Sequence, residues 1–440
     1  MSTPLPRPTS RRRPTGPAGP VRRRAWAGVL VAALLGSAGL AAAAPAGAAS
    51  LAPTEGASIV QISTGYPNTC ALLSDGTAWC WGGGLVGALG NGDFESSYVP
   101  VTVLDERGQD PLQGITQIAV GQNFACALLD STEVRCWGYG NNGGLGNGGL
   151  GNSALPVAVS NPAGTGVLTG VTQISAGTGS GHACARLSSG ELRCWGDNNN
   201  GQIGSGGTTD RLRPTMVRNS TNTGPLTGVA EVAAGQSHTC ARLTDGTARC
   251  WGEGQGNGDG STANRPLPVV VSNPAGTGPL GNIVQIAAGR HACALLASGT
   301  ARCWGANYGG QLGTGTRNQA LRPVTVSNPG GTGPLSGVVH LETGEGHTCA
   351  MKNNGQDLCW GYNNHGQVGD GSTTDRLRPV GVANPSGSRF MIGATGIDGG
   401  GYHSCAVVNA TIRCWGFNEA GEVGDGTRTQ RPRPVTVIFP

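Results

Sequence analysis

Residues 235–252 read GQSHTCARLTDGTARCWG, and six other stretches of the chain follow the same plan. Each stretch holds two cysteines around a turn sequence, and Trp-Gly follows the second cysteine directly. The tryptophans recur every 53 to 58 residues and are Trp81, Trp137, Trp195, Trp251, Trp304, Trp360 and Trp415. A unit repeated at this period is the signature of a solenoid or a propeller, so the repeat has to be interpreted before any other feature.

Each unit contains four short strand candidates separated by glycine and proline. In the fourth unit they are residues 229–232, 234–243, 247–252 and 268–271, the second and third being joined by the turn Thr244-Asp245-Gly246. The composition, with 79 glycines and 27 prolines among 440 residues, is that of a turn-rich β-protein. Four strands per unit and seven units predict an all-β, seven-bladed β-propeller with four-stranded blades.

The cysteine spacing agrees with hairpin geometry. A three-residue loop at Thr244–Gly246 places Cys240 opposite Cys250, and the seventh unit, one residue shorter, keeps the same pairing with a two-residue loop. We therefore predict one disulfide within each blade, rather than free thiols or zinc ligands. The predicted bonds use all 14 cysteines and join Cys70 to Cys80, Cys126 to Cys136, Cys184 to Cys194, Cys240 to Cys250, Cys293 to Cys303, Cys349 to Cys359 and Cys405 to Cys414.

The N-terminal 48 residues differ from the rest of the chain. Two arginine clusters precede an apolar, alanine-rich run, and Ala46-Gly47-Ala48 supplies a small-residue cleavage site. We interpret residues 1–48 as a secretory signal peptide and residues 49–440 as the propeller, with an uncleaved membrane anchor as the alternative. The predicted location is extracellular, either secreted or retained at the cell surface.

The charge balance argues against a nucleic-acid partner. The formal net charge is +4, but residues 1–50 hold seven arginines and no acidic residue, which leaves 22 basic against 25 acidic residues in the remainder. Nucleic-acid binding draws much of its affinity from phosphate neutralisation by a basic surface. We therefore expect no nucleic acid and, once the signal is cleaved, no membrane as partner.

The repeat resembles that of the regulator of chromosome condensation family. Good matches are residues 235–252 and the segment Trp360-Gly361-Tyr362-Asn363 followed by residues 366–371, and the resemblance extends over about residues 58–440. It implies a seven-bladed propeller, a fold that serves nucleotide exchange, chromatin docking and enzyme inhibition in different members. The added cysteine pairs depart from the family pattern. So do Asn68 and Phe124, which replace the motif histidine, and the fourth unit, which lacks the Asn and Gln-Leu-Gly segment.

The residues that follow Trp-Gly differ from unit to unit within an otherwise constant frame, as expected of a binding face. Aromatic anchors dominate protein interfaces, and acidic residues steer a basic partner. We predict that an extracellular protein binds here, with the chain acting as a monomeric inhibitor or receptor-like module. The predicted contact residues are Tyr139, Asp197, Glu253, Tyr308, Tyr362 and Phe417.

Two other kinds of function compete with this prediction. A carbohydrate-binding or cell-wall-binding propeller would use irregularly placed aromatics of the loops after Trp-Gly, for which the candidates are Phe94, Tyr98, Tyr139, Tyr308, Tyr362 and Phe417. A guanine-nucleotide exchange factor is disfavoured by the export signal. No repeat-breaking catalytic set is evident, so we expect no enzymatic activity and no cofactor. Five histidines stand two residues before the first cysteine of their units. We interpret them as contacts between blades rather than as metal ligands: His182, His238, His291, His347 and His403.

Overall fold

The computed structural model describes residues 53–179 and 181–440, which form seven four-stranded antiparallel sheets, each built from four consecutive strands. The signal-peptide prediction falls on residues outside this range. Blades 1 to 4 comprise β1 (Ile59–Thr64), β2 (Asn68–Leu73), β3 (Ala78–Gly82), β4 (Ser97–Thr102); β5 (Ile115–Val120), β6 (Phe124–Leu129), β7 (Val134–Gly138), β8 (Ser153–Ala158); β9 (Val171–Ala176), β10 (His182–Leu187), β11 (Leu192–Gly196), β12 (Arg211–Met216); and β13 (Val229–Ala234), β14 (His238–Leu243), β15 (Ala248–Gly252), β16 (Arg265–Val270).

Blades 5 to 7 continue the same order and confirm the predicted seven-bladed propeller. They comprise β17 (Ile283–Ala288), β18 (His291–Leu296), β19 (Ala301–Gly305), β20 (Ala320–Thr325); β21 (Val338–Thr343), β22 (His347–Lys352), β23 (Asp357–Gly361), β24 (Arg376–Gly381); and β25 (Ala394–Gly399), β26 (His403–Val408), β27 (Thr411–Gly416), β28 (Arg431–Thr436). The divergent fourth unit adds a 3₁₀ turn at Gly254–Gly256 between β15 and β16. In the described part of the chain no helix is long and apolar enough to span a membrane.

The hairpin between the second and third strands of each blade carries the disulfide, which confirms all seven predicted pairs. In the ladder of each blade the two cysteines lie directly opposite each other, with Cα atoms 4.0–4.1 Å apart. From blade 1 to blade 7 the bonds are Cys70 to Cys80, Cys126 to Cys136, Cys184 to Cys194, Cys240 to Cys250, Cys293 to Cys303, Cys349 to Cys359 and Cys405 to Cys414.

The seventh hairpin accommodates its missing residue through its turn. Asn409 and Ala410 both adopt positive φ, which closes a two-residue turn between β26 and β27. Val408 therefore pairs with Thr411, and Cys405 still faces Cys414 as in the longer hairpins. The change of loop length leaves the position of the disulfide within the blade unaltered.

The hydrophobic core lies between blades. Each of the seven buried clusters joins the disulfide of one blade to the Trp-Gly tryptophan of the next, and the last cluster joins Cys405 and Cys414 of blade 7 to Trp81 of blade 1. Every one of these indole N–H groups also donates to a backbone carbonyl of the preceding blade, over 2.8–3.1 Å. The disulfides and tryptophans thus belong to the inter-blade frame.

Four of the five motif histidines join neighbouring blades, in agreement with their structural interpretation, whereas the Nε2 of His238 has no partner among the described residues. His291 Nε2 lies 2.6 Å from Thr348 Oγ1, and equivalent contacts link His182 to Thr239, His347 to Ser404 and His403 to Thr69. Each hydroxyl donates its proton to a carbonyl, so the histidine must be the donor through Nε2–H. Burial lowers the pKa of His291 to about 3, which keeps the ring neutral.

Within residues 53–440 as described, the ring closes without exchanging a strand between the first and last blades. At the seam between blades 7 and 1, Trp81 Nε1 donates to the Glu422 carbonyl over 2.9 Å, and Gly401 N donates to Gly65 O over 2.9 Å. Phe439 packs against Trp79 and Trp81, with ring centroids 5.9 and 6.4 Å apart. Packing and hydrogen bonds therefore close the propeller.

Candidate functional site: the loop face

One end of the propeller carries the connections between the first and second strands of each blade and those between the third and fourth strands. We call this end the loop face. It comprises residues 65–67, 121–123, 177–179, 181, 235–237, 289–290, 344–346 and 400–402, together with 83–96, 139–152, 197–210, 253–264, 306–319, 362–375 and 417–430. All six predicted contact residues belong to the second group of segments.

The loop face is strongly acidic. Its segments contain three arginines, Arg290, Arg317 and Arg428, against twelve acidic residues. The acidic residues are Asp93, Glu95, Asp197, Asp210, Glu253, Asp259, Glu345, Asp370, Asp375, Glu419, Glu422 and Asp425.

Arginine pairing neutralises only part of this charge. Four of the twelve carboxylates, Asp259, Asp370, Asp375 and Asp425, form ion pairs with arginines. Among the described residues the other eight have no arginine partner, and most of these eight reach solvent. The accessible carboxylates give the face a negative potential that attracts a basic surface.

A constant polar frame shapes the longer loops. In blade 6, Asn363 Nδ2 donates to the carbonyls of Ser372 and Thr374, and its Oδ1 accepts from Val368 N over 2.8 Å. Gln367 Oε1 accepts from His365 N over 3.0 Å in the same loop. These bonds engage both ends of the Asn363 amide and the amide oxygen of Gln367, so the side chains between them are free to vary.

The predicted contact residues separate into two groups. Tyr308, Tyr362 and Phe417 lie on the neighbouring blades 5, 6 and 7, whereas Tyr139 and Glu253 lie on blades 2 and 4. Asp197 is 9% exposed, and its carboxylate accepts from Asn199 and Gln202 of its own loop. The geometry therefore gives Asp197 a loop-organising contact, while the three aromatics form part of a larger cluster.

That cluster surrounds a cavity of about 440 Å³ between blades 5, 6 and 7, which we call the aromatic pocket. Tyr362 and His365 from blade 6 and Tyr402 from blade 7 line it, with ring centroids 5.6–6.3 Å apart. Phe417 packs on His365 at 4.9 Å. Tyr66 of blade 1 continues the cluster at 5.4 Å from Tyr402. Such edge-to-face packing orders the rings before any ligand arrives.

Charged side chains complete the pocket. Glu345, on the first connection of blade 6, is 6% exposed and lies near the Tyr402 hydroxyl in the pocket lining. Burial raises the pKa of Glu345, and burial together with the nearby carboxylate raises the pKa of Tyr402 to about 12, so the phenol keeps its proton. Arg290 is exposed at the rim, where its guanidinium lies 5.8 Å from the centre of the Tyr308 ring.

Sequence reasoning missed Arg290, Glu345, His365 and Tyr402 as pocket residues. Arg290, Glu345 and Tyr402 lie on first connections, after the last residue of the first strand and before the motif histidine, whereas the repeat pattern drew attention to the longer loops. A comparison of the units at this connection would have given a signal, because Gln122 and Gln236 stand where Arg290 and Glu345 stand in blades 5 and 6. Within the described residues, no group of three His, Cys, Asp or Glu side chains is arranged to hold a metal ion.

Fold and site together define a class of protein, a seven-bladed propeller with a variable loop face on a constant frame. The chain belongs to the regulator of chromosome condensation (RCC1) repeat family. Two models of this repeat match it, one at residues 59–87, 115–143, 171–202, 229–260, 283–311 and 338–367 and the other at 75–128, 133–185, 189–242, 298–351 and 354–407. The family resemblance noted in the sequence is thereby confirmed.

Comparisons with individual proteins agree with this family assignment. The chain is 30% identical to the ultraviolet-B receptor UVR8 of Arabidopsis thaliana over 86% of its own length and 81% of the receptor. It is 27% identical to the human E3 ubiquitin-protein ligase HERC2 over 75% of its length, but spans 6% of that protein. Among solved structures, yeast RCC1 (Prp20) bound to Kap60 has a TM-score of 0.63 at 21% identity, covering 82% of this chain and 83% of that one. Human WBSCR16 has a TM-score of 0.62 at 22% identity, covering 79% and 86%. The two structures share the fold.

Proposed function

We propose that this chain is an exported, non-enzymatic protein-binding module that captures a basic extracellular protein on its loop face, as an inhibitor or a receptor-like module. The observation that carries the proposal is the concentration of acidic residues and an aromatic cluster on one end of a constant frame. Aromatic side chains supply much of the energy of protein interfaces, and complementary charge speeds and orients encounter.

Two further observations support it. RCC1-fold propellers bind proteins, since yeast RCC1 (Prp20) was solved in complex with Kap60 and its binding to Gsp1p and histones has been characterised. Seven disulfides within the described residues suit an oxidising compartment outside the cytoplasm.

The test is affinity capture from culture supernatant with the oxidised protein as bait. Tyr308→Ala changes a ring that is 60% exposed on the loop face, and Phe390→Ala changes a ring that is 58% exposed at the opposite end. We expect Tyr308→Ala to weaken capture of the partner, Phe390→Ala to leave it unchanged, and added salt to slow association. Equal losses from the two variants would contradict a loop-face interface.

A second candidate function is carbohydrate or cell-wall binding, which the accessible Tyr308 ring and the neighbouring aromatic pocket favour because sugars stack on such rings. Glycan arrays and peptidoglycan pull-downs with the same two variants distinguish the possibilities. Binding to glycans that is lost in Tyr308→Ala, together with no protein captured, would replace the protein-binding proposal.

A further inference from the structure

Glu345 is a buried carboxylate that forms no direct ion pair in the described part of the chain, although the charge of Arg290 in the same pocket acts to lower its pKa. It is 6% exposed, and none of the ion pairs among the described residues includes it. Arg290 is the cation of the same pocket, but its guanidinium lies over Tyr308 at the exposed rim. A buried carboxylate is costly unless it is paired, and the Tyr402 hydroxyl beside it is neutral.

The walls around Glu345 suit a cation. Tyr362, Tyr402 and His365 meet at steep interplanar angles of 61° and 62°, so their rings wall the cavity from several directions. Aromatic faces carry negative electrostatic potential and attract ammonium and guanidinium groups, most strongly where water is excluded. Carboxylate and aromatic walls therefore favour the same sign of ligand charge.

Glu345 of the pocket also differs from the residues at the equivalent position of other blades, so its side chain is not part of the constant inter-blade frame. The residues equivalent to Glu345 in blades 2 and 4 are Gln122 and Gln236, which are neutral. The backbone of Glu345 keeps the inter-blade bond that these residues make, since Glu345 N donates to Gly400 O over 3.2 Å as Gln236 N donates to Gly289 O over 2.7 Å. The frame thus requires the backbone at this position and leaves the carboxylate available to a ligand.

We infer that the aromatic pocket receives one positively charged side chain, arginine or lysine, of the protein that binds the loop face. This inference rests on the proposed function, because the proposed protein partner is what carries the arginine or lysine. Glu345 pairs with the cation, Tyr402 holds the carboxylate in place, and Tyr362 and His365 flank the alkyl stem. The surrounding acidic loop face raises the local concentration of such groups.

The experiment uses small probes and does not need the partner. The chain has six tyrosines: Tyr308, Tyr362 and Tyr402 line the pocket and Tyr66 adjoins it, whereas Tyr98 and Tyr139 lie elsewhere on the propeller. NMR spectra of the oxidised protein with ¹³C-labelled tyrosine rings are recorded during titration with Nα-acetyl-arginine N-methylamide, its lysine analogue and its citrulline analogue. Citrulline matches arginine in shape but carries no charge.

We expect arginine, lysine or both to shift the pocket tyrosines and leave Tyr98 and Tyr139 in place, with citrulline inactive. The stronger of the two cations identifies guanidinium or ammonium as the preferred group. Glu345→Gln should weaken binding about tenfold or more, because a charge-assisted bond is lost. Glu55→Gln, an exposed carboxylate just before β1 and away from the loop face, should have no effect.

A second variant keeps the inference testable if Glu345→Gln does not fold. Tyr362→Leu retains the carboxylate and should weaken binding about two- to fivefold through loss of a cation–π contact. Equal binding of citrulline, unchanged affinity in both variants, or the absence of any cation binding would overturn the inference. Probe binding without any captured protein would refute the proposed function instead, so the two failures are distinguishable.

Discussion

Replacing Ala292 with serine should stabilise the propeller by completing an inter-blade hydrogen bond that blade 5 lacks. In four places a motif histidine donates to a hydroxyl on the next blade, but His238 faces Ala292. In the described chain, His238 Nε2 is buried without a partner. A serine hydroxyl at position 292 would accept from His238 and donate to the Gly256 carbonyl, which already accepts from Trp304.

The magnitude follows from the two bonds that are formed. A neutral hydrogen bond contributes about 0.5 to 1.5 kcal/mol, and a buried unsatisfied group costs about 1 to 3 kcal/mol that the new bond recovers in part. Against this stands the cost of placing a hydroxyl at a site that is 0% exposed. We therefore expect a net gain of about 1 to 2 kcal/mol in the free energy of unfolding.

The matched control is Ala183→Ser, at the equivalent position of blade 3. Its hydroxyl can donate to the Gly144 carbonyl, but it faces Phe124 rather than a histidine. The difference between the two variants therefore isolates the histidine bond. The measurement is guanidinium chloride unfolding of the oxidised proteins at pH 7, with midpoints compared at equal slope.

The reasoning would be refuted if both serine variants changed the midpoint equally, or if Ala292→Ser were the less stable of the two. A pH series adds a second check. Burial lowers the pKa of His238 to about 4, so its proton uptake on unfolding costs folded-state stability as pH falls below about 6.5. The benefit of Ala292→Ser should persist at pH 7, where the histidine is neutral in the folded state and mostly neutral in the unfolded state.

Three further predictions concern the frame. Gly289→Ala should destabilise the fold by about 3 kcal/mol or more, because a Cβ there would overlap the Gly344 carbonyl of the next blade, whereas Gly281→Ala, with open space around its Cβ, should be nearly neutral in thermal unfolding. Burial raises the pKa of Asp357 to about 7. The contribution of Asp357 to the free energy of unfolding is therefore fully present below about pH 4 and is lost as the pH rises to about 7. Asp357→Ala should therefore stabilise increasingly over this range, by about 1.4 kcal/mol per pH unit, and a gain that did not vary with pH in chemical unfolding would contradict this assignment. Replacing both cysteines of the blade 5 hairpin, Cys293 and Cys303, by alanine should cost about 2 to 3 kcal/mol for a loop of about ten residues, and unchanged unfolding midpoints would show that the disulfide adds no stability.

The fold could be predicted almost completely from the sequence because seven units repeat the same pattern of strands, turn and paired cysteines. Hairpin pairing follows from loop length, so counting alone places Cys240 opposite Cys250. The closure of the ring could not be predicted, because the Trp81 indole and the Glu422 carbonyl that it contacts are 341 residues apart in the sequence. No periodic signal connects residues that are unique to one unit.

The site was predictable only in part for the same reason. Tyr362 and Phe417 could be recognised as variable positions in a constant loop, but their convergence with Tyr402 and Glu345 depends on which blades are neighbours and on how deep each side chain lies. Burial separates the roles of two acidic residues that look alike in the sequence. Asp197 is engaged by its own loop, whereas Glu345 faces a cavity.

The frame tolerates a variable loop face because the face is tied to it through backbone atoms. The indole of Trp251 donates to the Gln202 carbonyl, and the equivalent acceptors in other blades are the carbonyls of Ala88, Gly144 and Gly256. These acceptors share a backbone position and differ in side chain. A substitution that preserves the loop backbone therefore leaves the inter-blade bond intact, while it changes what the face presents to a partner. The same separation of roles explains how one blade can carry Glu345 where others carry glutamine without losing its place in the ring.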